Sequence, residues 1–231
     1  CFHRWADHTV RLSNGYITTT QGKRDAMLVR EAVQITGGTS KTDKMPCDSH
    51  GIPARECNVG SRLVKVKGST CHGCYALKGR YAMPTTERAG YRRLHALGHP
   101  EWIPAMVTLV ARQKSGHFRW FDSGDLQSLD HLRQIMEVIK ATPHIQHWLP
   151  SREYKLLDLH KALHGDWPAN VVVRRSAHLI DGPPPKTKDP TSTVVTDDSK
   201  VTCRAPWQDN KCLDCRDCWN PTVRNVAYRK H

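Results

Sequence analysis

The chain has 231 residues, of which 38% are hydrophobic and 25% charged, values that describe a soluble globular protein with a single sizeable core. No apolar run approaches the roughly 20 residues that a membrane-spanning helix needs, so no membrane partner is expected. Thirty-five Lys and Arg against 22 Asp and Glu give a formal charge of +13, which suits a nucleic acid or another polyanion. The basic residues are scattered over 11–67, 80–93, 155–188 and 224–230, however, and a solvated surface accounts for them equally well.

Residues Cys1–Lys44 are polar, with short β-prone pieces such as Gly15-Tyr-Ile-Thr-Thr-Thr20, and read as a peripheral layer without a site. Cys1–Val10 lacks a charged start followed by an apolar run, so no secretion signal is expected. The alternation Leu63-Val64-Lys65-Val66 predicts a strand that leads directly into the first cysteine motif, Cys71-His-Gly-Cys74. Cys57 and Cys47 lie upstream and complete a candidate set of four thiolates. His72, inside this loop, reads as a solvent-facing residue rather than a ligand. Amphipathic helices are predicted from Pro84 to Gly98 and over Glu101–Lys114, the second with Ile103, Met106, Val107 and Val110 on one face.

The middle of the chain alternates strand and helix. His117-Phe-Arg-Trp-Phe121, His144-Ile-Gln-His-Trp-Leu149 and Asn170-Val-Val-Val173 are strand-like. Between them, Ser128–Ala141 and Glu153–Leu163 carry helical apolar stripes, Leu129, Leu132, Ile135, Met136 and Ile139 in the first and Leu156, Leu157, Leu159 and Leu163 in the second. This beat predicts an α/β fold with a mainly parallel sheet, as a compact or incomplete barrel. In such folds ligands bind at the carboxyl ends of strands. The loops expected there are Asp122-Ser-Gly-Asp125, Pro150-Ser-Arg-Glu153 and Arg174-Arg-Ser-Ala-His178. Asp122, Asp125, Arg152 and Glu153 are the candidate catalytic groups, and Ser123, Ser151, Arg174, Arg175 and His178 the candidate substrate contacts. Each also has an ordinary reading, as a turn former, a first-turn acid or a surface ion pair.

One domain is expected over 1–231, with 181–231 a loop-rich, metal-binding segment in which Ser192-Thr-Val-Val-Thr196 returns as a strand. Cys212-Leu-Asp-Cys215 and Cys215-Arg-Asp-Cys218 share a cysteine, and Cys203 stands nine residues upstream of Cys212. Short C-x2-C loops let two sulfurs reach one centre while backbone N–H groups point at them. A disulfide framework belongs to small secreted domains, which this chain does not resemble. Iron–sulfur and zinc both accept four thiolates, and three cysteines within seven residues stand closer to the C-x2-C-x2-C run of bacterial ferredoxins than to the paired knuckles of a zinc ribbon.

Several stretches together resemble a family of small bacteriophage proteins: Lys44-Met-Pro-Cys47, Cys71-His-Gly-Cys-Tyr-Ala-Leu-Lys-Gly-Arg-Tyr81, Phe118-Arg-Trp-Phe-Asp-Ser-Gly-Asp-Leu-Gln-Ser128, Trp148-Leu-Pro-Ser-Arg-Glu153 and Cys203–Trp219. That resemblance implies a soluble phage protein acting in the host cytoplasm and brings no activity with it. More distantly, a cysteine loop followed by Tyr75-Ala76 is similar to the radical S-adenosylmethionine enzymes, whose three cysteines hold a [4Fe–4S] cluster with one iron open to the cofactor. Their usual spacing is C-x3-C-x2-C, whereas Cys57 lies fourteen residues before Cys71 and Cys47 is available as a fourth ligand. Three functions stay open: a redox or radical iron–sulfur enzyme on a polar or anionic substrate, a nucleic-acid base-modifying enzyme with a structural metal site, and a non-enzymatic protein that binds a host partner.

Overall fold

Strand, helix and strand repeat through the middle of the chain and assemble one sheet. In a computed structural model, which describes residues 27–230, seven strands line up in chain order. They are β1 (Ser40–Lys41), β2 (Asp48–His50), β3 (His117–Trp120), β4 (Gln146–Ser151), β5 (Val171–Ile180), β6 (Thr191–Val195) and β7 (Asn225–Arg229). Only the β1–β2 pair is antiparallel. The helices are α1 (Val29–Thr36), α2 (Asn58–Leu63), α3 (Pro84–Ala96), α4 (Trp102–Val110), α5 (Leu129–Ala141) and α6 (Tyr154–His164). Among the described residues no pairing joins β1 to β7, so the parallel sheet expected from the sequence is present but a closed barrel is not seen. Gly15–Thr20 and Cys1 lie outside the described residues.

Side-chain alternation divides the sheet into two faces. Phe118 and Trp120 of β3, Leu149 of β4 and Val171 and Val173 of β5 join the main core with Trp102, Met106, Leu132, Ile135, Met136 and Ile139 from the helices. Ser128 caps α5 by accepting from the His131 amide at 3.0 Å, which starts the helix where its apolar stripe begins. The stripe of α6 is only half used: Leu157 is buried, while Leu159 and Leu163 are exposed. On the other face, Ser49, Arg119, Trp148 and Val172 stand side by side in register across β2–β5. On this inner face the short helical turn Asp217–Trp219 packs against β4 and β5. The cover of the face comes from the two cysteine-bearing segments.

Three sequence expectations change. Residues 63–66 end α2 and continue as turns, with Val64 and Val66 amides bonded to Gly60 and Leu63 carbonyls, so local helical closure wins over alternation. Strand β5 runs on to Ile180, which places Arg174 and Arg175 within the sheet instead of in a loop after it. The segment beyond Asp181 supplies two strands: β6, as expected, and β7, whose Val226 and Ala227 are buried against β6.

Candidate functional site

The connection from β2 to β3 carries the first cysteine group over the carboxyl ends of the strands. Cys57 precedes α2, and Cys71 and Cys74 follow in a run of turns. The Cys57 thiol has Cys71, Cys74, Asp125 and Glu153 among its charged neighbours. A β-carbon at Gly60 would stand 2.8 Å from the Cys57 β-carbon, too close for a real contact, and in ordinary contact with the Cys57 and Cys71 sulfurs at 3.5 and 3.7 Å, so glycine lets α2 start tightly against Cys57. The loop is tied to the sheet by backbone bonds from Thr70 N–H to the His178 carbonyl at 2.8 Å and from Ile180 N–H to the Gly68 carbonyl at 2.9 Å. Burial pushes the Cys57 and Cys71 thiols above the usual range. Thiolate ligation there must therefore release protons.

The rim residues expected from the sequence meet around this loop, and their geometry separates them. Asp122 is buried; its Oδ2 accepts from the Tyr81 hydroxyl at 3.2 Å, and its carbonyl accepts from the Tyr75 hydroxyl at 2.7 Å. Its Oδ1 has no hydrogen-bond donor among the described residues. Ser123 donates to the Ile52 carbonyl, which fixes the β3 loop against the exit from β2. Asp125 accepts from Ser151 Oγ at 2.6 Å and from the Leu126 and Arg152 amides at 2.8 Å, locking the β3 and β4 loops together. Burial pushes its carboxyl up while these three donors pull it down. Glu153 reaches across to accept from the Val59 amide at 2.7 Å, directly beside Cys57, and burial raises its carboxyl too. Arg152 donates to the Ala177 carbonyl and has the Cys71 thiol as a charge neighbour. His178 stacks on Tyr154 with ring centroids 4.6 Å apart.

The two arginines of β5 point to opposite faces. Arg175 faces the helices and pairs with Asp158 and Asp189 at 2.6 and 3.0 Å. Arg174, fully buried, faces inward and donates to five carbonyls, those of Thr191, Asp217, Cys218, Asn220 and Val223. It clamps the second cysteine segment onto the inner face. That segment also inserts Trp219, whose indole N–H donates to the Phe118 carbonyl at 3.0 Å. Trp219 packs with Met45, Cys47 and Trp148, and Cys212, Cys218 and Tyr228 lie against them.

Cys47 thus has neighbours other than those its place in the sequence suggests. It stands immediately before β2, at the strand's amino end, whereas Cys57 lies beyond the carboxyl end. Cys212 and Arg216 are among its charge neighbours. Among the described residues, no three His, Cys, Asp or Glu side chains converge to hold a single metal ion. His72 is exposed, with its Nδ1 at 3.0 Å from the Val64 carbonyl.

Sequence reasoning missed the residues between the two cysteine groups. Arg119 reaches inward from β3, stacks over Trp148 at 4.4 Å and shares charge interactions with Tyr75, Asp122, Tyr228 and Tyr81. Tyr228 in turn lies with its hydroxyl 3.1 Å from the Cys218 sulfur. The alternation of β3 places Phe118 and Trp120 in the core and so turns Arg119 to the opposite face, which is the signal that would have found it.

Fold and site together define an α/β protein with a parallel sheet wound in chain order and one cysteine group toward each end of its inner face. No curated protein and no solved structure matches the chain. The model of a bacteriophage-type family described as Gene product 88 matches residues 17–230, so the chain belongs to the GP88 family. No helix among the described residues is long and apolar enough to cross a membrane.

Proposed function

We propose that the chain is an iron–sulfur enzyme of the S-adenosylmethionine radical type, with Cys57, Cys71 and Cys74 holding a [4Fe–4S] cluster above the strand ends and the C-terminal cysteines holding a second, structural or electron-relay centre. The observation that carries this reading is the placement of Cys47 and Cys57 beyond opposite ends of β2. Three thiolates on a four-iron cluster leave one iron free for a cofactor or substrate; a fourth would close it. Such a cluster, when reduced, supplies one electron to the sulfonium of S-adenosylmethionine.

The chain's own groups then bind and orient the substrate. Arg119, with Tyr75, Tyr81 and Tyr228 around it, offers a cation and hydroxyls on the inner face, which suits a polar or anionic substrate. Asp122 holds a buried, donor-free carboxylate oxygen packed against Gly51, which would accept a substrate N–H or O–H once the loops over it open. Asp125 and Glu153 position the rim and the Cys57 loop. Anaerobic purification with iron, sulfide and zinc analysis tests the reading, followed by binding of S-adenosylmethionine to the reduced protein. The expected result is a brown protein whose first cluster and cofactor binding are lost in C57S, C71S or C74S. Colourless protein with stoichiometric zinc would overturn it.

A further inference from the structure

We propose that the cleft between α3 and the turns over 76–82 binds the carboxylate of a small molecule, with Arg93 as the residue that recognises it. The inference goes beyond the iron–sulfur reading and needs neither cluster. From the sequence, Arg93 looks like one more surface charge beside Arg88 and Arg92, but the fold buries it, leaving 8% exposed.

The side chain is held in place and left with a donor to spare. Its stem passes Gly37, where a β-carbon would stand 2.9 Å from the Arg93 nitrogen and 3.0 Å from its Cγ, so glycine makes the room that lets Arg93 lie inward. Nη1 donates to the Gly51 carbonyl at 2.8 Å and Nη2 to the Ser40 hydroxyl at 2.7 Å, which fixes the guanidinium against β1 and the exit from β2. Both of these partners are neutral. Nε is buried as well and has no acceptor among the described residues. A planar guanidinium held rigidly with an unused N–H is prepared for a carboxylate oxygen.

Charge and space both suit one small anion. Asp122 is a charge neighbour of Arg93 and also of Arg119, so one carboxylate serves two guanidiniums. A buried cation without a paired acid in contact costs stability, and an entering anion offsets that cost. Arg93, Tyr81 and Asp122 line a cleft with about 40 Å³ open to water-sized groups, room for roughly three of them, which suits a carboxylate better than the bulkier phosphate. Its walls are kept small by Ala54, Ala76, Ala82 and Gly90. Arg55 and Glu87, which also line it, pair with each other at 3.2 Å with side chains 60% and 38% exposed. A bridge this exposed is worth little and does not bar entry.

The test follows the arginine Nε–H signals of the nitrogen-15-labelled full chain by NMR at mildly acidic pH. Sodium acetate is titrated in, with sodium chloride and sodium phosphate at equal ionic strength as the other arms. The Arg93 signal is assigned through its own bonds, so no variant at 93 is needed. Acetate is expected to shift that signal saturably, with half-saturation on the order of 10 mM, as befits so small a ligand, while chloride and phosphate leave it in place. Ala76→Leu, which fills the cleft from a half-buried wall position, should abolish the shift while the amide signals of β3–β6 stay where they were; Ala82→Leu repeats the test from an exposed position. No saturable shift with acetate, an equal shift with chloride or phosphate, or a full response in both filled variants would overturn the assignment. Neither result bears on the clusters, whose own test is metal content.

Discussion

The two cysteine groups are held to the same sheet by different physics. The first hangs over the strand ends on hydrogen bonds: Thr70 and Ile180 amides, the Glu153 carboxylate and the Tyr75 hydroxyl. Neither α2 nor the turns that follow Cys74 bury a single residue. The second is packed into the molecule, with Trp219 buried among Met45, Cys47 and Trp148 and with Arg174 gripping its backbone. Few apolar contacts mean low local stability, so the first group is built to open and the second to stay. That division is what the proposed function requires, an accessible first group and a fixed second one.

The largest expected effect falls on the second group. Arg174→Ala removes a buried cation and strips donors from five carbonyls, a change of about 3–5 kcal/mol. Urea unfolding should register that loss, and limited proteolysis should cut beyond residue 200 while the loop over 57–74 stays as resistant as before. Equal loosening of both groups would show that they fold as one unit and would end the comparison.

Arg174 also shows where the sequence could not be read. Strand, helix and strand from His117 to Val173 were legible because each segment carries its own periodicity, and α5 bears its cap as well as its stripe. Beyond Val173 the strand continues through Arg174, Arg175 and Ser176, polar residues that look like a loop because their partners lie fourteen to forty-nine residues away. Strand β7 was hidden for a related reason: Asn225-Val-Ala-Tyr-Arg229 is short and basic-flanked, and only β6 beside it makes it a strand. The rim was legible in its residue types, since Asp125, Arg152 and His178 do meet there. Its division of labour was not, because that depends on which oxygen meets which amide.

Acid should act on both groups together, since it attacks the core beneath them. His131 and His147 are buried behind the sheet, and burial lowers them to about 4 and about 3. The unfolded chain binds protons on these rings below about pH 6.5, while the folded chain refuses them until pH 4 or lower. Each ring therefore contributes stability that is present at pH 7 and lost as pH falls through that window, about 1.4 kcal/mol per pH unit apiece. Urea midpoints at pH 7.0 and 5.5 should differ accordingly, and His147→Gln should shrink the difference. A pH-independent midpoint would contradict it.

A smaller effect is expected at the first group. Glu153→Ala leaves the Val59 amide without its acceptor and should cost about 1.5–3 kcal/mol, with Glu153→Gln recovering part of it through the amide oxygen. Hydrogen exchange would locate the change: amides of 57–64 should speed up and those of 203–224 should not. Faster exchange in the C-terminal segment would mean that Glu153 supports the whole inner face.

The smallest effect concerns a contact that spans the two groups. Arg80, just after the first cysteine loop, meets Asp43, just before Cys47, at 3.5 Å, and the two side chains are 85% and 90% exposed. A bridge in this position invites the idea that it couples the groups. Physical estimates argue against that, because an exposed pair gains little in water, must immobilise two flexible side chains and is screened by salt. Arg80→Ala should therefore change stability by no more than about 0.5 kcal/mol. It should leave proteolysis of both segments as it was at low and at physiological salt. If the variant instead loosened 203–224 at low salt, the two groups would be electrostatically linked, and their separate anchoring by Glu153 and Arg174 would be only part of how the inner face is held.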